Sequence, residues 1–185
     1  LIGADAAMYK SKKAGRGRYS FFDASLNKVS MEKFEIEQRI PAALAESQFV
    51  LHYQPKIRLD DFRAIGLEAL IRWQLPDNQL IYPDDFIEIA EGAGHIRDIG
   101  LWVLENVCLQ LREWQKHDLQ LLPVAVNVSS LELQESDYST RFLQTLEKFS
   151  ISPKLLEIEI TESSLIEDKK RALDNLRTLS DHGIK

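Results

Sequence analysis

Three segments of this chain share one alternating pattern, and that repetition is the strongest constraint on what it can fold into. Residues 64–73, 123–129 and 155–161 are short runs rich in aliphatic and β-branched residues, a composition typical of strands. Side chains alternate between the two faces of a strand. In each run one face is apolar, and the other carries small residues and an oxygen donor. These donors are Glu68, Asn127 and Glu159.

Helical patterns separate the strand candidates. Helices are predicted over residues 85–92, 98–117, 138–149 and 168–182, with Asp85 and Glu88 spaced as a capping box. From residue 64 onward strands alternate with helices, which is the order expected of a parallel sheet or barrel. An additional strand over residues 49–54 leads directly to the strand at 64–73 without a helix between them. The predicted fold class is therefore α/β.

The polar faces of the three strands predict a common site. In α/β folds, sites usually lie at the carboxyl ends of the parallel strands, where Glu68, Asn127 and Glu159 would converge. Two carboxylates and an amide oxygen suit Mg²⁺, Mn²⁺ or Ca²⁺ better than zinc. An open sheet with one solvated face fits the pattern equally well, and it would leave both glutamates merely exposed. Arg72, on the same face as Glu68, could form an ion pair with it or contact an anion.

Composition excludes several classes of protein. The chain has 185 residues, 44% of them hydrophobic, and a formal net charge of −6, as in ordinary globular proteins. A basic patch in residues 1–20 is too short to indicate binding to a nucleic-acid polymer. No apolar run reaches the roughly 18–20 residues of a membrane span. Cys108 lies in an apolar run, which predicts a core thiol in a reducing, cytoplasmic compartment, although a parent protein could carry a membrane anchor upstream.

Both ends of the chain fall within predicted secondary-structure elements, so the chain is expected to be a fragment of a longer protein. It begins with a helical pattern at Leu1 and stops at "SDHGIK", where a helix has just ended and a strand begins. The expected organisation is the end of one domain at residues 1–23, a helical linker at 24–47, and half of a second domain at 48–185. Pro41 is expected to kink the linker helix or to begin a new one.

Four motifs occur in a characteristic order: "YQPKIRL", "EALIRW", "AVNVSS" and "LEIEITES". In this order and spacing they resemble the EAL family of cyclic di-GMP phosphodiesterases over residues 37–185. The segment "LIGADAAMYKSKKAGRGRYSFF" at residues 1–22 is similar to the end of a GGDEF domain. GGDEF domains are diguanylate cyclase modules that often precede an EAL domain.

The resemblance implies a TIM-like (β/α)8 barrel of the EAL type whose first strand is antiparallel, present here as its N-terminal half behind a GGDEF tail. It also implies hydrolysis of cyclic di-GMP to linear pGpG by a site holding two Mg²⁺ or Mn²⁺ ions. A homodimer formed through the EAL or GGDEF domains is expected.

The resemblance also assigns roles to single residues. Glu68, Asn127 and Glu159 match the metal ligands, and Glu68 and Glu159 are also counted as catalytic. Glu162 would contact these ligands rather than the metal itself. The residues that match contacts to substrate are Gln54, Leu70 and Arg72.

Some features depart from the family pattern. Glu132 stands where the family usually has glutamine, and Leu75 stands where histidine is common. The paired aspartates, the catalytic lysine and a later glutamate of the family would lie beyond residue 185, so this chain alone is expected to be incomplete for catalysis. Two alternatives remain open: a non-catalytic receptor for cyclic di-GMP, and an interaction module that uses the linker helix and the barrel surface.

Overall fold

The structure, a computed structural model, describes residues 24–160 and 169–185, with side chains from residue 31 onward. The predicted GGDEF tail and Glu162 lie outside the described residues. The helices are α1 (Ala24–Ala45), α2 (Pro83–Ala93), α3 (Ile96–Lys116), α4 (Ser130–Leu133), α5 (Tyr138–Phe149) and α6 (Lys169–Asp181), with a 3₁₀ turn at Pro153–Leu155. The strands are β1 (Phe49–Ile57), β2 (Ala64–Gln74), β3 (Leu80–Ile81), β4 (Val124–Asn127) and β5 (Leu156–Glu159).

One sheet organises the described chain. Its strands are ordered β1-β2-β4-β5, and the short β3 pairs with β2. Strand β1 is antiparallel to β2, whereas β2, β4 and β5 are parallel to one another. The sheet thus has the predicted α/β topology with an antiparallel first strand. At its far edge the backbone N–H of Ile158 donates to the carbonyl of Lys185 at 2.7 Å, so the chain returns to the sheet beside β5.

The apolar face of the sheet packs against the helices as the alternation predicts. Along β2, Ala69, Ile71 and Trp73 are buried while the residues between them are partly exposed. The indole of Trp73 lies 5.4 Å from the ring of Phe49 and 5.8 Å from that of Phe86, within the range of favourable aromatic contacts. This aromatic cluster fixes the antiparallel β1–β2 pair against α2.

Helix α1 is more than a linker. It continues through Pro41, and Ile40 and Ala43 on either side of the proline are fully buried in the core. Proline removes one backbone hydrogen bond from a helix interior, and core packing of the neighbouring side chains offsets that loss. The second half of the predicted linker therefore belongs to the packed domain.

The predicted capping box at Asp85 and Glu88 is wrong. Helix α2 begins two residues earlier, with Tyr82 at the N-cap and Pro83 in the first turn. Proline is favoured there because the first-turn N–H groups have no intrahelical partner. Asp85 instead lies within the first turn, where a carboxylate interacts favourably with the helix dipole. The helix ends at Gly94, whose φ of 79° is in the left-handed region.

Asn175 on α6 ties this helix to the loop between α4 and α5. Its amide Nδ2 donates to the carbonyls of Leu133 and Glu135, both at 2.8 Å, and its Oδ1 accepts from the N–H of Ser139 at 3.3 Å. The side chain is buried. One asparagine therefore satisfies three backbone groups that would otherwise lack partners in this interface.

Replacing Asn175 by alanine should lower the free energy of unfolding by about 2–4 kcal/mol, since buried backbone groups would lose their hydrogen bonds. Urea denaturation followed by circular dichroism measures the change. Thr178→Ala on the same helix, whose hydroxyl donates to the carbonyl of Asp174 at an exposed position, serves as the control and should change stability much less. Equal losses in the two variants would contradict this role of Asn175.

Candidate active site

The three predicted metal ligands lie on one face of the sheet, opposite the aromatic cluster. Strand register places Asn127 of β4 beside Glu159 of β5. Glu68 of β2 pairs with Ala125 of β4. Ala125 is two residues before Asn127, so both project from the same face of β4. Neighbouring strands are about 4.8 Å apart, so register alone brings these polar side chains together. The register therefore places the three residues on one face of the sheet, on neighbouring strands, as the alternating strand pattern predicts.

A direct hydrogen bond joins two of the ligand candidates. The amide Nδ2 of Asn127 donates to Oε1 of Glu68 at 2.8 Å. Glu68 is half-buried and Asn127 is exposed. The bond fixes the carboxylate of Glu68 toward the carboxyl end of β4.

The third candidate, Glu159, is held by a lysine that the sequence reasoning did not select. The ammonium of Lys56 on β1 donates to Oε1 of Glu159 at 2.5 Å and to Oε2 of Glu157 at 3.4 Å. Partial burial lowers the pKa of Lys56, but its hydrogen bonds and charge interactions with Glu159 and Glu157 raise that pKa by more, so it lies above its usual value. Lys56 is therefore a cation at the edge of the candidate metal site.

Small residues leave room for this lysine to cross the sheet. Lys56 pairs with Gly66 across the β1–β2 ladder, and a Cβ at Gly66 would lie 3.6 Å from Cδ of the lysine. Ala125, in register with Glu157, is the β4 residue on the same face. Larger side chains at these two positions would obstruct the path from β1 to β5.

The predicted substrate contacts line the same face. Gln54 of β1 is exposed and pairs with Glu68, and Leu70 is half-buried. Arg72 donates from Nη1 to the carbonyl of Ile71 at 2.8 Å. Its guanidinium carbon lies 5.2 Å from the ring centre of Tyr82, a cation–π distance. Among the described residues, the alternative ion pair of Arg72 with Glu68 is not formed.

The turn after β4 is held by a capping box. The backbone N–H of Ser129 donates to Oε2 of Glu132 at 3.1 Å, and the N–H of Leu131 donates to the hydroxyl of Ser129 at 3.2 Å. That hydroxyl donates to Oε1 of Glu91 on α2 at 2.5 Å. These bonds fix the backbone two residues beyond Asn127.

Glu132, the departure from the family glutamine, is buried with only 4% of its surface exposed. Burial raises the pKa of its carboxyl group to about 7; the hydrogen bond from Ser129 opposes this shift and the charge of Glu135 adds to it. Helix α3 passes directly over the carboxylate, since a Cβ at Gly100 would lie 1.8 Å from its Oε1. A side chain at position 100 would therefore displace the carboxylate of Glu132.

The donor set fits a divalent cation in its chemistry. Glu68, Asn127 and Glu159 offer carboxylate and amide oxygens, which Mg²⁺ and Mn²⁺ prefer. Within the described ranges, no three acidic, histidine or cysteine side chains gather closely enough to hold a metal ion. Mg²⁺ requires about six ligands, so water, substrate or other parts of the protein would complete the coordination.

Comparison with known proteins decides the family. The sequence profile of the EAL domain matches residues 37–185. The chain belongs to the EAL domain family. The bifunctional diguanylate cyclase/cyclic di-GMP phosphodiesterase MucR of Pseudomonas aeruginosa is 38% identical over 184 residues, which cover 100% of this chain and 27% of MucR. The cyclic di-GMP phosphodiesterase PdeR of Escherichia coli is 37% identical over 180 residues, which cover 97% of this chain and 27% of PdeR.

Solved structures agree on the fold. The PaMucR phosphodiesterase in complex with c-di-GMP superposes with a TM-score of 0.75 and 36% identity, covering 81% of this chain and 61% of that one. This EAL chain spans about a quarter of the length of these curated relatives. In the described portion of the chain, no helix is long and apolar enough to cross a membrane.

Two residues of this EAL domain gain roles that the sequence reasoning did not assign. Lys56 lies inside the motif "YQPKIRL", but its partners on β5 are 101 and 103 residues away. The sequence alone marks Glu132 as a substitution for the family glutamine and assigns it no role. The signal for its role was the spacing S-x-x-E from Ser129, which is a capping-box pattern.

The buried carboxyl group of Glu132 should make stability depend on pH. Its pKa is near 7 in the folded state and about 4.3 when unfolded, so the folded state holds the proton more readily. The free energy of unfolding should therefore fall as pH rises from about 4.5 to 7. Glu132→Gln should remove this dependence and raise stability at pH 8 by about 3–4 kcal/mol.

Urea denaturation at pH 5, 6, 7 and 8 measures this effect. Glu147→Gln on α5, which removes the same charge at an exposed position, is the matched control and should leave the pH profile near that of the parent chain. Parallel pH profiles for Glu132→Gln and the parent chain would show that the carboxyl group is not the cause.

Proposed function

We propose that the protein containing this EAL domain hydrolyses cyclic di-GMP to linear pGpG in a reaction that requires Mg²⁺ or Mn²⁺. The observation that carries the proposal is the placement of Glu68, Asn127 and Glu159 on one sheet face at three neighbouring strands. The relatives MucR and PdeR are named as cyclic di-GMP phosphodiesterases, which supports the choice of substrate.

The carboxylates have the chemistry to hold the metal ions. Bound divalent ions would supply an activated water and neutralise charge on the phosphoryl oxygens. Glu68 would bind through its carboxylate, whose orientation is already set by Asn127. Glu159 would bind through the carboxylate that Lys56 now contacts. Holding ligands on strands keeps their positions more constant than loops would.

Substrate recognition falls to the remaining residues of the same face. Arg72 would contact a phosphate, because its donor fork matches two oxygens of a phosphodiester. The ring of Tyr82 beneath the guanidinium limits its motion before substrate binds. Leu70 would form part of the pocket wall, and Gln54 would lie at its edge, where its amide can pair with phosphate or guanine.

The proposal also covers the cellular compartment and the oligomeric state of the protein. We place the domain in the cytoplasm, where a reduced and fully buried Cys108 is stable, and we propose that the intact protein acts as a homodimer. Residues beyond this chain would complete the metal site, so the hydrolytic activity is assigned to the intact protein.

Glu68→Ala in the intact protein should reduce the rate of cyclic di-GMP hydrolysis by at least about a hundredfold, because a metal ligand is lost. Separation of pGpG by liquid chromatography in the presence of Mg²⁺ measures the rate. Glu113→Ala, which removes an exposed carboxylate from the last turns of α3, is the control and should keep the parent rate.

Two results would contradict parts of this proposal. Equal turnover by Glu68→Ala and the parent would refute the role of Glu68. No turnover by the parent, together with tight binding of cyclic di-GMP in calorimetry, would identify a non-catalytic receptor instead.

A further inference from the structure

A resident positive charge, the ammonium of Lys56, lies against Glu159, one of the candidate metal ligands. The ammonium of Lys56 contacts Oε1 of Glu159 at 2.5 Å and Oε2 of Glu157 at 3.4 Å. The three side chains are only 23–39% exposed, so water screens their charges incompletely. Lys56 therefore neutralises part of the negative charge on β5.

Glu157 offers the lysine a second carboxylate next to the first. Glu157 and Glu159 are two residues apart on β5, so their side chains project from the same face. A charge-assisted hydrogen bond has a length of about 2.8 Å, so a displacement of about 0.6 Å would complete the contact between Lys56 and Glu157. The other oxygen of Glu157 lies 3.8 Å from the ammonium of Lys185.

If Glu159 holds a divalent ion as proposed, that ion and the ammonium of Lys56 would share one carboxylate and repel one another. The ammonium of Lys56 would then have to release this carboxylate. The cost of the exchange is low only if the ammonium keeps a carboxylate partner, because an unpaired charge in a partly buried site is unfavourable. Glu157 is the carboxylate in position to supply that partner.

We propose that Lys56 is an exchangeable counter-cation of the metal site, which holds Glu159 when the site lacks metal and moves to Glu157 when a divalent ion binds. This inference rests on the proposed function, because it takes Glu159 as a metal ligand. Lys56 is a positioning residue: it acts on the metal through Glu159 and sets the affinity of the site. Gly66 and Ala125 lie on the same sheet face as Lys56 and place no long side chain beside it.

The test measures Mn²⁺ affinity of the intact protein without substrate, from the free-Mn²⁺ signal in electron paramagnetic resonance. Lys56→Met should bind Mn²⁺ about tenfold more tightly. Changes of this size in metal affinity are typical when a residue that hydrogen-bonds to a metal ligand is replaced. Lys56→Gln, which keeps a hydrogen-bond donor without the charge, should also bind more tightly, and it provides a second reading should Lys56→Met fold poorly. Lys148→Met, which breaks an ion pair with Glu105 on the helical surface, is the matched control and should bind as the parent does.

A double-mutant cycle tests the role of Glu157. Glu157→Gln should bind Mn²⁺ several-fold more weakly than the parent protein, since Lys56 loses its second partner. The same change in the Lys56→Met background should have a much smaller effect, because there is no lysine to accommodate. Equal effects in both backgrounds would show that Glu157 acts on the metal only through its own charge, and would overturn the exchange.

Thermal unfolding gives a readout independent of catalysis. In EDTA, Lys56→Met should melt at a lower temperature than the parent, because Glu157 and Glu159 repel each other without the lysine. Saturating Mn²⁺ should raise its melting temperature by more than it raises that of the parent.

The failures can be told apart. If the parent binds no more Mn²⁺ than Glu68→Ala, the metal site of the proposed function fails and the exchange fails with it. If the parent binds Mn²⁺ but neither Lys56→Met nor Lys56→Gln binds it more tightly, only the exchange is overturned.

Discussion

The parallel register of β2, β4 and β5 is the constraint on which the rest of the structure depends. Asn127 lies beside Glu159 because β4 and β5 pair at that position. Glu68 pairs with Ala125, two residues before Asn127, so it projects from the same face of the sheet. A shift of one residue in either pairing would turn the oxygen donors into the core and the valines of β4 into the site. The aromatic contacts of Trp73 with Phe49 and Phe86 oppose such a shift on the other face, so packing and site geometry are fixed by the same ladder.

That register also places three carboxylates on one face of the sheet: Glu68 on β2, and Glu157 and Glu159 on β5. The antiparallel first strand supplies the compensation. Because β1 runs opposite to β2, its later residue Lys56 lies beside Gly66 at the start of β2, and its long side chain can extend toward β5. Partly buried carboxylates are unfavourable unless they are paired, and Lys56 supplies the positive charge that pairs with Glu157 and Glu159. Lysine suits this role because its ammonium is a compact charge on a flexible stem.

The sequence predicted those parts of the fold that depend on local pattern. The four strands, the common sheet face of Glu68, Asn127 and Glu159, and the helix at residues 138–149 follow from alternation and helical periodicity. The start of α2 was misplaced because a capping-box spacing at Asp85 competes with a proline that fixes the first turn two residues earlier. The partners of Lys56 could not be read from the sequence, since they depend on how strands far apart in the chain are aligned. The burial of Ile40 and Ala43 also depends on tertiary packing: one helix runs through Pro41, where the sequence predicts a kink or the start of a new helix.

The turn after β4 shows how one substitution connects stability with the site. A glutamine at position 132 could accept the hydrogen bond from the N–H of Ser129 without a charge, whereas glutamate must bury a carboxylate beneath Gly100 to make the same bond. The capping box continues through the hydroxyl of Ser129 to Glu91 on α2, so a change in the charge of Glu132 acts on the backbone two residues beyond Asn127. Asn127 in turn orients Glu68. The buried carboxyl group of Glu132 is therefore connected through one capping box to Ser129, two residues beyond the candidate ligand Asn127.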